Sequence, residues 1–257
     1  MLVFGPSCLP VTAAWEPTYA WQKGQPFQTA FWMFERGYVR NNELQYYVPD
    51  FGQNVRLDDD GLLVFEARKE RVTNRQFVKG STDWRTAKAF GKYTSGSIRT
   101  KQTWQNGQFE IVARVHGGKG LWPAIWLVGE NKGQYGEIDI MEYIGDNHGR
   151  VFTTYHWGSS ARDSQQRQII TPIAKLENAF VTYRAELTPT QVRLFINGRQ
   201  VMRVSRQGKK WRGLAPLVQP FRLSLNLALG GWAGKLNDHA LPAKMEIRSI
   251  RIWNWRP

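Results

Sequence analysis

A β-sandwich or barrel is expected from three features of this chain: apolar residues at every second position, turn residues between those runs, and almost no helical periodicity. The alternation is clearest from Phe221 to Leu229, where Phe221, Leu223, Leu225, Leu227 and Leu229 share one face and Arg222, Ser224 and Asn226 the other. Phe109, Ile111, Ala113 and Val115 repeat it, with Glu110, Arg114 and His116 facing the opposite way. Shorter runs at 62–67, 96–101, 124–128, 137–143, 151–157, 181–187 and 245–253 complete the strand set. Between the run from Val192 to Ile196 and the run from Arg199 to Arg203 lies Asn197-Gly198, a pair that tolerates the positive φ of a type I′ hairpin. The best helical signal is Thr171-Pro172, with Thr as N-cap and Pro at the first helical position, opening a short stretch to Phe180.

Length and composition bound what such a fold can be. The chain has 257 residues, 42% hydrophobic and 22% charged, unlike the apolar-poor composition of disordered chains. All-β units often reach about 200–250 residues, and no linker or repeat divides the sequence, so residues 15–257 are expected to form one domain. Residues 1–14 are apolar and end in Thr-Ala-Ala, which reads as a leader remnant or a disordered tail, and the leader reading makes the protein secreted. Cys8 is the one cysteine, which excludes an intramolecular disulfide and a thiolate zinc cage. No apolar run approaches the ~20 residues of a spanning helix, so no membrane partner is expected.

Charge invites a different reading. Lys and Arg number 35 against 21 Asp and Glu, a net +14, as phosphate binders often carry. The basic residues are nevertheless scattered, and their densest cluster, Arg203, Arg206, Lys209, Lys210 and Arg212, falls in a Gly-containing loop segment. A solvated surface is the expected role, with no nucleic-acid partner and a monomeric chain.

The off-core faces carry Tyr46, Trp122, Trp126, His156 and Asn226, with Trp232 just beyond its strand. Part of the tryptophan complement belongs to a core. A sheet lined by aromatics and hydrogen-bonding groups also suits sugars, whose rings present apolar C–H faces and a rim of hydroxyls.

Gly136-Glu137-Ile138-Asp139-Ile140-Met141-Glu142-Tyr143 is the most informative segment. Glu137 and Asp139 are two apart and share a strand face, whereas Glu142 has the wrong parity. One extra residue around Ile140-Met141, a β-bulge, would bring Glu142 onto that face, and bulges favour active sites. Glutamates about 13 Å apart along the backbone, at ~3.3 Å per residue, can lean together to the ~5–5.5 Å of a retaining glycosidase pair. Three acids on one face repel one another, which raises the pKa of one member and keeps a proton on it at neutral pH, as a general acid requires. A strand with incidental acids and a calcium site are the competing readings; a single strand presents its acids in a line, which suits a calcium cage poorly.

This segment, GEIDIME, resembles the E-x-D-x-x-E catalytic strand of glycoside hydrolase family 16, in the bulge-containing branch that includes laminarinases (endo-1,3-β-glucanases). Residues 41–47 (NNELQYY), 118–127 (GKGLWPAIWL), 154–158 (TYHWG) and 220–234 resemble laminarinase segments in the same order, so the likeness runs from about residue 41 to 253. It implies a β-jelly-roll of two antiparallel sheets with a concave glucan cleft. It further implies Glu137 as nucleophile, Glu142 as general acid and then base, and Asp139 as the group that sets the ionisation of the nucleophile. Asn41, Trp122, Trp126, His156 and Trp232 match sugar-binding positions. The resemblance implies a retaining endo-hydrolase of β-1,3 or mixed β-1,3/1,4-glucans that needs no cofactor. The alternatives are a hydrolase of a marine galactan and a carbohydrate-binding sandwich without turnover.

Departures from the family pattern carry their own expectations. The usual Phe-Glu-x-Arg reads Phe109-Glu110-Ile111-Val112, so the sugar-contacting arginine is missing and Arg114, two residues on, is the expected substitute. The first strand is not recognisable in 15–27, and the terminal Asp-Tyr-Val-Arg-Val-Tyr reads Glu246-Ile247-Arg248-Ser249-Ile250-Arg251. These ends contribute to the calcium site of many relatives, and their divergence weighs against calcium; the metal content is left open.

Overall fold

The computed structural model describes residues 14–131, 133–206 and 218–256. The leader-or-tail reading, Ala14 apart, lies outside the described residues, as do Cys8, Lys209, Lys210 and Arg212. The strands in chain order are Ala14–Gln22 (β1), Trp32–Phe34 (β2), Tyr46–Tyr47 (β3), Val55–Leu57 (β4), Leu63–Thr73 (β5) and Phe90–Ser95 (β6). Then come Ser97–Thr100 (β7), Gly107–Val115 (β8), Leu121–Gly129 (β9), Tyr135–Tyr143 (β10), Arg150–Gly158 (β11) and Ser164–Pro172 (β12). Val181–Leu187 (β13), Gln191–Ile196 (β14), Arg199–Ser205 (β15), Phe221–Leu229 (β16) and Ala243–Arg256 (β17) complete them. No described helix is long and apolar enough to cross a membrane.

Two sheets result. The larger has ten strands in the order β15-β14-β13-β8-β17-β5-β6-β3, with β1 added to β17 and β4 to β5; the smaller has seven, β12-β11-β10-β9-β16-β7-β2. Pairing is antiparallel throughout except between β3 and β6, where Tyr46 faces Thr94 in parallel register, a departure from the purely antiparallel expectation. The core between the sheets is built by the alternation seen in the sequence. Phe109, Ile111, Ala113 and Val115 of β8 and Ile247, Ile250 and Ile252 of β17 meet Ile125 and Leu127 of β9, Ile138 of β10 and the leucines of β16, all buried. Removing such faces from water, at about 25 cal/mol per Å² of apolar area, is the main stabilising contribution.

Local signals decide the connections. Asn197 (φ 48) and Gly198 (φ 77) both take positive φ between β14 and β15, as a type I′ turn requires. The expected helix opening at Thr171 does not form. Both Thr171 and Pro172 end β12, an edge strand where a missing N–H is tolerated, and the later turn is a single 3-10 stretch, Leu176–Asn178, preceded by Lys175 in the left-handed region. A strand that the sequence does not reveal, β1, lies along the end of β17 from Ala14 opposite Arg256 to Gln22 opposite Ser249.

Candidate active site

The acids sit in the middle of the seven-stranded sheet. Against β11, Glu137 faces His156, Asp139 faces Thr154 and Glu142 faces Phe152, so Ile140 and Met141 together oppose one residue, Thr153. Against β9 the shift recurs between Asp139 and Met141. This is a β-bulge at the expected place: Ile138, Ile140 and Met141 point into the core, and Glu137, Asp139 and Glu142 point the other way. Neighbouring strands add the side chains of the same parity, Trp122, Ala124 and Trp126 from β9 and Asn226 from β16. The loop before β3 closes one side with Arg40, Asn41 and Glu43, and these ten residues line a cavity enclosing about 320 Å³, open solvent included. Asn41 (φ 57) and Asn42 (φ 51) are consecutive left-handed residues, a conformation that asparagine tolerates and that turns this loop over the acids.

The environments of the three carboxyls differ. His156 Nε2 lies 3.1 Å from Asp139 Oδ2 and 3.8 Å from Glu137 Oε1. Burial raises the Glu137 carboxyl above the usual range, and His156, a hydrogen bond from the Tyr135 hydroxyl and the Arg40 charge oppose that rise. Asp139 is pushed well up by burial and then by Glu137. Glu142 is also pushed well up, first by burial and then by Asp139; the Trp122 indole Nε1–H, donating to Glu142 Oε1 at 2.9 Å, offsets part of this. Burial therefore favours the protonated form most strongly at Asp139 and Glu142, while Tyr135, His156 and Arg40 gather around Glu137 and oppose its rise. Mutual repulsion contributes, but desolvation is the larger cause.

A consequence for stability follows from the sign of the Glu142 shift. A folded pKa above the unfolded one means that native protein holds a proton the unfolded chain has released, so stability falls as pH rises through that window. Glu142→Gln, which keeps an acceptor for Trp122 and never ionises, is expected to melt above the parent chain at pH 8, with the gap closing below the normal carboxylate range. An equal or lower melting temperature at pH 8 would refute the assignment of strain to this carboxyl.

A hydrogen-bonded network holds the cleft walls. Trp126 Nε1–H donates to Asn226 Oδ1 at 2.8 Å, Asn226 Nδ2 to the Tyr47 hydroxyl at 3.2 Å, and Tyr47 to buried Glu43 at 3.2 Å; Glu43 also accepts from Gln45 at 2.6 Å and Asn41 at 3.2 Å. Arg40 lies 5.2 Å from the Trp126 ring centre and 5.7 Å from that of Tyr47, and its guanidinium pairs with Glu35. Trp232, 44% exposed, packs edge-on against Trp122 at 5.7 Å and Phe152 at 5.0 Å. Arg40, Glu43 and Tyr135 are site residues that sequence reasoning did not single out; the Asn-Asn-Glu run was the available signal for the first two.

Arg114 requires a correction. It lies on β8 of the other sheet, facing outward, where Nε donates to Glu246 Oε2 at 2.6 Å and the guanidinium sits 4.8 Å from the Phe180 ring centre. It cannot replace a cleft arginine. The same contacts bear on calcium, because Glu246 stands where the terminal Asp of the family pattern would be. His116 and Arg114 hold its carboxyl down at about 2, so the oxygen a cation would use already faces two bases, and this carboxylate does not fit the ion. Glu137, Asp139 and His156 bring ligand atoms within 4.8 Å of one another, but the His156–Asp139 contact already occupies one of them.

A family model for glycosyl hydrolases family 16 matches residues 43–249, which spans the acid strand and its neighbours β9, β11 and β16. The chain belongs to that family. Among its relatives, the β-glucanase of Rhodothermus marinus is 32% identical over 235 residues, covering 84% of this chain and 75% of the relative. The solved laminarinase of the same organism superposes with a TM-score of 0.78 at 30% identity, covering 96% of this chain and 100% of that one. A structure described among endo-acting O-glycanases, with which prominent members of the human gut microbiota initiate mucin breakdown, reaches 0.86 at 30% identity, over 97% of this chain and 94% of that one. A family 16 jelly roll with this acid triad is a glycoside hydrolase acting on polysaccharide.

Proposed function

We propose that this hydrolase cleaves internal β-1,3 bonds of laminarin-like or mixed-linkage β-1,3/1,4-glucans with retention of anomeric configuration, outside the cytoplasm where such polymers occur. The observation that supports it is the bulge, which puts two glutamates on the cleft face with different partners, Tyr135, His156 and Arg40 around Glu137 and Trp122 beside Glu142. Ionised Glu137 attacks the anomeric carbon from the face opposite the leaving oxygen and forms the glycosyl-enzyme. Protonated Glu142 gives its proton to that oxygen as the bond breaks, then takes one from the water whose oxygen displaces Glu137. Asp139, proton-bearing and beside Glu137, donates to the nucleophile and stabilises it as leaving group. Trp122, Trp126 and Trp232 offer ring faces to sugars, and Asn41 and His156 offer polar contacts at the rim.

The test is NMR of the first product from laminarin. A β anomer that later mutarotates is expected; an α anomer as the first product would sink the double displacement. A second reading, a galactan or mucin-type glycan as substrate, is favoured by the O-glycanase likeness. Turnover of laminarin, lichenan, agarose, carrageenan and mucin O-glycans side by side separates the two, because the glucan reading requires the first two to be cleaved faster.

A further inference from the structure

The cleft continues past the acids. Glu43 lines the catalytic cavity on one side and, on the other, a wider depression enclosing about 1510 Å³, open solvent included. Gly231, which lines this depression, stands where a Cβ would lie 3.1 Å from the ring of Trp122, which lines the catalytic cavity, so the two spaces adjoin. Trp84, Phe90 and Tyr93 line it with ring surface, and Lys88, Lys92 and Lys235 bring three exposed ammonium groups to it from three separate places: ahead of β6, within β6, and the loop after Gly231–Ala233. Arg71 adds a further cation 3.6 Å from the Phe90 ring centre.

No carboxylate within 4 Å neutralises those lysines among the described residues. The nearby acids are already engaged, Asp238 by Lys69 and the Tyr93 hydroxyl at 2.8 Å each, and Glu43 by its three donors. Three converging cations with no internal partner raise the local potential, and a depression with apolar walls focuses it. Ring faces beside ammonium groups suit a sugar that carries negative charge. The uncharged backbone of a glucan makes no demand for the three lysines.

We propose that this depression is a subsite for a glycan unit bearing an anionic substituent, a sulfate ester or a carboxylate, some units removed from the bond that is cut. The proposal rests on the hydrolase reading of the adjoining acids. It does not depend on the backbone being glucan. A glycan so substituted is recognised by charge at one end of the cleft and cleaved at the other.

Binding can be measured apart from turnover by using the full chain with Glu137→Gln, with and without Lys88→Gln, Lys92→Gln and Lys235→Gln together. Affinity electrophoresis in gels containing laminarin, lightly sulfated laminarin or carboxymethyl-laminarin gives the comparison, repeated with neutral agarose and sulfated carrageenan oligosaccharides. Tenfold or tighter binding to the charged forms at 20 mM salt is expected, lost at 500 mM salt and lost in the lysine variant, whose melting temperature certifies folding. A gain confined to sulfated forms identifies a sulfate ester, and a gain with carboxymethyl-laminarin alone a carboxylate; equal gains leave the shared anionic chemistry standing. Equal affinity for charged and neutral forms, or a preference that survives the lysine substitutions, would overturn the proposal. If the parent chain fails to cleave laminarin, the glucan reading falls while the agarose and carrageenan comparison still decides the subsite.

Discussion

Glu137→Gly is expected to hydrolyse an aryl β-glucoside of laminaribiose on the order of 10⁴-fold more slowly than the parent chain, and to regain turnover when azide is added. The small anion enters the space the carboxylate leaves and attacks from the same face, giving an α-glycosyl azide. Glu142→Gly should behave oppositely. It keeps Glu137, so the glycosyl-enzyme still forms with a good leaving group, and azide then opens it from the other face to give the β-azide. With a natural glucan, whose leaving oxygen needs the proton, the loss in Glu142→Gly should be roughly 10²–10⁴-fold. The stereochemistry of the two azides identifies which glutamate is which; full activity in Glu137→Gly, or the same azide from both variants, would reject the assignment.

Arg40→Met is expected to lower stability by roughly 2–4 kcal/mol, somewhat below the ~3–5 kcal/mol of a fully buried pair because the arginine side chain is 21% exposed. The partner left behind, Glu35, is 9% exposed and is also bonded by Ser97 Oγ at 2.6 Å, so it remains a largely desolvated charge. A second effect reaches the chemistry. Arg40 is one of the groups that hold the Glu137 carboxyl down, so its removal raises that pKa further and moves the acid limb of the kcat/KM profile to higher pH. Arg40→Met with Glu35→Gln should recover much of the stability in urea unfolding while leaving the acid limb displaced. An acid limb that stays in place in both variants would show that the arginine acts on the fold alone.

Much of this molecule is legible in its sequence because period-two alternation is a strong constraint when one face of a strand is buried. The leucines of β16, the apolar run of β8 and the parity argument for Glu142 all follow from it. The error over Arg114 has the same root. Alternation says that a side chain faces away from the core, but a sandwich has two outer surfaces, and nothing local in Arg114 tells which sheet β8 joins. Arg40 and Glu43 escaped for a different reason. They sit on a loop placed by distant backbone bonds, Gly37 with Tyr47 in both directions and Leu44 N–H to Leu229 C=O, which no periodicity encodes. The short helix expected after Thr171 illustrates a local preference overruled by strand pairing.

The pairing of two residues, Ile140 and Met141, with the single partner Thr153 makes this point of the chain unlike any other in the strand. Deleting either one would leave Glu142 facing the sugar, merely drawn nearer to Asp139. Deleting Ile138 instead would turn Glu137 into the core. Gain or loss of one codon here alters spacing, whereas elsewhere in the strand it alters sidedness, so this is where the lineage could vary its length and keep its chemistry.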